Sequence, residues 1–103
     1  MAEKHFFDLL EEEAPNIKKA FFDYVGTIQS DGGLDEKTYQ LVYIGIKAAA
    51  GQTGSVAAHS KIAKKAGATR DEIRGAVLVS MATDGVTGLS SSLAAALDAY
   101  DNA

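Results

Sequence analysis

Apolar residues along this chain recur every three or four positions, and no run alternates apolar with polar over the length of a strand. The pattern predicts an all-α protein of about six helices. Helix one is expected from Glu3 to Glu13, with Phe6, Phe7, Leu9 and Leu10 on its apolar side. Pro15 then suits the first turn of helix two, where its missing N–H costs nothing. That helix is expected to reach Gln29, with Ile17, Ala20, Phe21, Tyr24, Val25 and Ile28 at the spacing of a buried stripe. Asp31-Gly32-Gly33 makes a turn, and Asp35 is placed to cap helix three.

Helix three, Glu36 to Ala50, is apolar over most of its circumference (Leu41, Val42, Ile44, Ile46, Ala48, Ala49). A helix of that kind is central to its fold or lies at a subunit interface. Gly51 ends it. Helix four is expected from Gly54 to Ala66, its last turns carrying Lys61, Lys64 and Lys65 against the negative end of the helix dipole, and Gly67 stops it. Thr69-Arg70-Asp71-Glu72 reads as a capping box that starts helix five, whose apolar side is Ile73, Ala76, Val77, Ser80 and Met81. Asp84-Gly85 through Gly88 interrupts the pattern, and helix six runs from Leu89 to Tyr100.

Composition narrows the picture. The chain has 103 residues, of which 47% are apolar and 23% charged, and this suits one globular domain over residues 1–103. Alanine is the commonest residue and there is one proline, which again favours helices. The 10 Lys and Arg against 14 Asp and Glu leave a formal charge of −4, which disfavours nucleic acid as a partner. No stretch approaches the ~20 mostly apolar residues of a membrane span, and no signal peptide is legible, so a cytoplasmic location without membrane attachment is expected. Cysteine is absent, which excludes disulfides, zinc–thiolate sites and any thiol nucleophile within the chain.

The candidate chemistry gathers on helix four. Ser55, His59, Ile62 and Ala66 share one face, and a histidine there has a partly desolvated ring suited to acid–base work. The alternative is a core histidine satisfied by one or two hydrogen bonds. Ser55 and His59 also have the spacing of a nucleophile–base pair, but no acidic residue lies nearby to orient the base. His5 and His59 lie far apart, and no H-x-x-x-H pair appears, so no metal and no cofactor are expected. Gly51-Gln52-Thr53-Gly54 lacks the phosphate-loop lysine and reads as a tight helix–helix turn.

Three stretches carry a resemblance: Leu34-Asp35-Glu36-Lys37-Thr38 opening helix three, His59 on helix four, and Ala66-Gly67-Ala68-Thr69-Arg70-Asp71-Glu72-Ile73 leading into helix five. Together they resemble the carboxymuconolactone decarboxylase family, which includes the alkylhydroperoxidase D-like proteins, over about residues 33–100. The resemblance implies an alkylhydroperoxidase D-like helical domain that assembles as a homo-trimer or hexamer. It also implies that the redox branch's Cys-x-x-Cys positions fall on Gln52 and Ser55, that its glutamate falls on Gln40, and that His59 alone matches. Neither Gln nor Ser supplies a thiolate, so the redox mechanism does not carry over.

The decarboxylase branch likewise lacks the cysteine pair and keeps the histidine. By that resemblance the chain is a lyase acting on a small carboxylated lactone or organic acid. His59 would be its general acid, Gln40, Gln52 and Ser55 would supply hydrogen bonds, and Lys47 would be the nearby cation. A non-catalytic, ligand-binding or structural oligomer of the family is the alternative. A peroxidase-type antioxidant activity comes last, because it would need a thiol from another molecule.

Overall fold

The computed structural model describes residues 5–84 and 89–103, the side chains of 84, 89 and 90 excepted. Six helices follow one another: α1 (Phe6–Glu13), α2 (Pro15–Asp31), α3 (Glu36–Ala49), α4 (Thr53–Lys65), α5 (Arg70–Asp84) and α6 (Leu89–Asp101). Among the described residues there is no strand, and no helix is long and apolar enough to cross a membrane. Helix one begins at Phe6, three residues later than expected, because His5 is extended and caps it; the expected break at Gly85 to Gly88 lies outside the described residues. The chain forms two compact units, residues 1–33 and 34–103.

The first unit is the α1–α2 hairpin. His5 caps α1, its Nδ1 accepting from the Phe7 N–H at 3.2 Å. Pro15 opens α2 as the sequence predicts, and the helix runs two residues past Gln29 before Gly33, at φ +91°, turns the chain. Phe7 packs its ring against Phe22, with centroids 4.9 Å apart, and Phe21 and Phe22 meet edge to face. Two short helices cannot enclose a core, so no residue of either is buried. Ile17, Phe21, Tyr24 and Ile28, spaced as one stripe of α2, all remain exposed.

The second unit is a four-helix bundle in which α3 and α6 each flank both α4 and α5. Its helix ends are set by local chemistry legible in the sequence. The Asp35 carboxylate accepts from the Thr38 N–H at 2.8 Å, and that bond holds its pKa below the usual carboxylate range. At α5 the Thr69 hydroxyl accepts from the Glu72 N–H at 3.1 Å, while the Glu72 carboxylate accepts from the Thr69 N–H at 2.8 Å. Glu72 also meets Lys37 at 3.1 Å, which ties the start of α5 to the first turn of α3. Gly51 and Gly67 take φ of +72° and +96° after α3 and α4, a backbone region that favours glycine.

Small residues let the four helices approach closely. The core comprises Ile44 and Ala48 from α3, Val56 and Ala63 from α4, Ile73 and Val77 from α5, and Ala96 from α6, with Ala68 closing one end. At Gly45 a methyl group would come within 3.0 Å of the Ala76 carbonyl oxygen, so glycine sets how near α3 lies to α5. The end of α6 is clasped as well. Lys64 donates to the Tyr100 carbonyl at 2.8 Å, the Tyr100 hydroxyl donates to Ala68 O at 3.0 Å, and Arg70 grips Asp101 through two nitrogens at 2.9 and 3.2 Å.

Helix three, expected to be central or to lie at a subunit interface, is central along one side only. Gln40, Ile44 and Ala48 face inward, four residues apart, while Val42 and Ile46 remain 46% and 64% exposed. Beside them a groove of about 490 Å³ runs between α3 and α5, lined by Leu41, Val42, Ile46, Ala49, Ala76 and Val79 among others.

Ile44 is fully buried and, with Ile73, is one of the two largest fully buried side chains among the described residues, so Ile44→Ala removes methyl groups that the neighbouring helices cannot easily replace. Urea unfolding is expected to show a loss of about 2–5 kcal/mol at unchanged m-value. A loss under about 1 kcal/mol would mean that the core does not centre on this residue.

Candidate functional site

The site forms where α3 and α4 face each other. Gln40, Tyr43 and Lys47 stand at i, i+3 and i+7 on α3, so they share one side of that helix. His59 projects from α4 toward them. The Gln40 amide is almost wholly buried, at 3% exposed, and a buried amide requires a partner. It finds one in His59, whose Nδ1 lies 2.7 Å from Gln40 Oε1. An amide oxygen only accepts, so in this arrangement the ring donates from Nδ1. In the neutral imidazole the lone pair then lies on Nε2.

Tyr43 covers one face of the ring. Its centroid lies 3.7 Å from that of His59 with the planes 21° apart, a stacked contact. The Lys47 ammonium lies 5.7 Å from the Tyr43 centroid and donates to Gln52 Oε1 at 2.9 Å. Gln52 is the residue before α4, and its own N–H closes on the Lys47 carbonyl at 3.0 Å. The α3–α4 turn therefore brings the lysine and Gln52 together twice, once through backbone and once through side chain.

His59 is partly buried, not sealed within the core. Burial pushes its pKa down from the ordinary 6.5, and the nearby Lys47 charge pushes it further the same way. The imidazole thus rests neutral at pH 7, with Nδ1 protonated toward Gln40 and Nε2 carrying the lone pair. That nitrogen is the ring's available proton acceptor.

The residues singled out in the sequence are placed in three ways. Gln40 and His59 are directly joined, and Lys47 and Gln52 form a second pair. Ser55, one turn before His59 on α4, is partly buried, and among the described residues no hydrogen bond joins it to the imidazole. Nδ1 is engaged by Gln40 instead. Tyr43 is the participant that sequence reasoning missed. Its signal was present, because it lies three residues after Gln40 and four before Lys47 on the same side of one helix.

The α3–α5 groove is a different kind of surface. The polar groups at its edge are committed to their own backbone or to a neighbour. Ser80 donates to Val77 O at 2.6 Å, Thr83 donates to Ser80 O at 3.2 Å, and Glu72 is held by Thr69 and Lys37. It offers mainly apolar contact, and its Glu72 carboxylate is already engaged. Among the described residues no three His, Asp or Glu side chains converge as a metal ion would require.

Residues 15–98 match the sequence model of the carboxymuconolactone decarboxylase family. Among curated proteins none matches the chain.

The depressed His59 pKa has a sign that can be measured. Below 6.5 the unfolded chain holds a proton on this ring that the folded chain takes up only at lower pH, so stability falls as pH falls through that window. Stability of the wild type and of His59→Gln, measured by urea unfolding between pH 8 and pH 5, is expected to show the wild type losing ground to the variant as the solution is acidified. Parallel curves would show that the imidazole titrates alike in both states.

Proposed function

The chain belongs to the carboxymuconolactone decarboxylase family, and from that premise we propose that it is a lyase releasing CO2 from a small carboxylated lactone or organic acid. The observation that carries the reading is the Gln40–His59 hydrogen bond. It leaves Nε2 of a partly exposed imidazole as the proton-carrying atom, close enough to the Lys47 ammonium to feel its charge. Lys47 and His59 together suit an anionic substrate.

In this mechanism the substrate carboxylate binds beside Lys47 and partly cancels its charge. One of the two causes that keep His59 deprotonated is thereby weakened, and Nε2 takes a proton from solvent. The carbon–carboxylate bond then breaks and CO2 leaves. The electron pair passes into the neighbouring carbonyl as an enolate, and Nε2–H protonates carbon. What remains is the neutral ring with its proton on Nδ1 toward Gln40, which is the resting tautomer. Gln52 steadies the lysine, and Ser55, one turn from the ring, supplies a hydrogen bond to substrate. A thiol-dependent peroxidase reading has no support from Gln52 and Ser55, which carry no sulfur.

The reading includes self-association. Val42, Ile46 and Val79 lie exposed beside an apolar groove, and the stripe Ile17, Phe21, Tyr24 and Ile28 of α2 is exposed as well; both are apolar surfaces that a partner shields. A symmetric homo-oligomer covers such surface. Light scattering of the purified chain is expected to give a trimer or hexamer, and Ile46→Asp with Val79→Asp is expected to shift it toward monomer. A monomeric wild type at micromolar concentration would remove this part of the proposal.

The chemistry is tested by screening carboxylated lactones and muconate-like diacids for CO2 release. Wild type is expected to turn one of them over, and His59→Gln is expected to lose about 100-fold or more in kcat. The rate should decline as pH rises through the imidazole's titration, because the protonated ring is the acid. CO2 release by His59→Gln at the wild-type rate would remove the histidine from the mechanism.

A further inference from the structure

We infer that Tyr43 is the positioning residue of His59, fixing the plane of the imidazole so that Gln40 can hold its proton on Nδ1. The inference rests on the lyase reading for its importance but not for its geometry. A single hydrogen bond fixes one point of a ring. The imidazole still turns about its Cβ–Cγ bond within the broad angular tolerance of that hydrogen bond, and each such turn swings Nε2 relative to any bound substrate.

The second constraint is the flat face of Tyr43, stacked at 3.7 Å and 21° against that of His59. Bond and stack together define the plane, and with it the direction of the Nε2 lone pair. The α3 neighbours hold Tyr43 in turn. Tyr39 lies one turn earlier with its ring centroid 6.4 Å away, and the Lys47 ammonium lies 5.7 Å from the Tyr43 centroid, one turn later. Tyr39, Tyr43 and Lys47 are spaced four residues apart, so one helix sets all three. The stack uses the ring face, and the hydroxyl takes no part in it.

The test needs no substrate. Long-range ¹H–¹⁵N correlation spectra of the uniformly ¹⁵N-labelled full chain report which nitrogen of His59 bears the proton at neutral pH. Wild type and Tyr43→Phe are expected to show the Nδ1–H tautomer alone. Tyr43→Leu keeps an apolar side chain over the imidazole but has no flat face. It is expected to lose the single tautomer and give a mixture with Nε2–H, at an unchanged helical circular-dichroism signal. An unchanged Nδ1–H tautomer in Tyr43→Leu would overturn the inference, since burial alone would then suffice. Loss of the tautomer in Tyr43→Phe would overturn it too, by making the hydroxyl the active feature. If His59→Gln releases CO2 at the wild-type rate while Tyr43→Leu scrambles the tautomer, the histidine leaves the lyase mechanism and the positioning role stands.

Discussion

The hydrogen bond between the buried Gln40 amide and Nδ1 of His59 is the constraint on which the site depends. It joins α3 to α4 across their interface and satisfies an amide that would otherwise be stranded away from water. It also decides which imidazole nitrogen carries the proton and which the lone pair. A carboxylate at position 40 would place a negative charge against the ring and favour the imidazolium. The neutral amide does not, and burial with Lys47 nearby then lowers the ring's pKa. The choice of Gln at this one position therefore shapes tautomer, charge and orientation together.

Around that bond the bundle acts as a rigid frame. Cores rich in alanine and serine bring helix backbones close, and α3 meets α5 at Gly45, where even a methyl group would be crowded. The capping box at Thr69 and the Lys37–Glu72 pair set the start of α5 against α3. The clasp of Lys64, Tyr100, Arg70 and Asp101 sets the end of α6. Side chains carried on such close-packed helices are held in defined directions, and so Gln40 and His59 meet across the α3–α4 interface.

Much of the fold was legible in the sequence because its signals are local. Pro15, Asp35, Gly67 and the Thr69–Glu72 box each act within a turn of their own position, and each occupies the role its chemistry predicts. The family resemblance drawn from Leu34 to Thr38, His59 and the stretch 66–73 agrees with the match over residues 15–98. Helix ends shifted by a residue or two where backbone bonds, such as Gly32 N–H to Ile28 O, extend a helix beyond its apolar pattern. Pairings across helices were less legible. The choice of Gln40 over Ser55 as the partner of Nδ1, and the stacking of Tyr43, depend on how α3 rotates against α4. Apolar spacing alone does not fix that rotation to the accuracy of a hydrogen bond.

The central claim is that Gln40 holds the His59 proton on Nδ1 and leaves Nε2 to react. The most direct measurement is the pH titration of both His59 ring nitrogens by ¹⁵N spectroscopy, in the wild type and in Gln40→Leu. The account predicts a bare Nε2 and a protonated Nδ1 at neutral pH, a midpoint below 6.5, and loss of that tautomer in Gln40→Leu. A proton on Nε2 in the wild type, or a midpoint above 6.5, would contradict it.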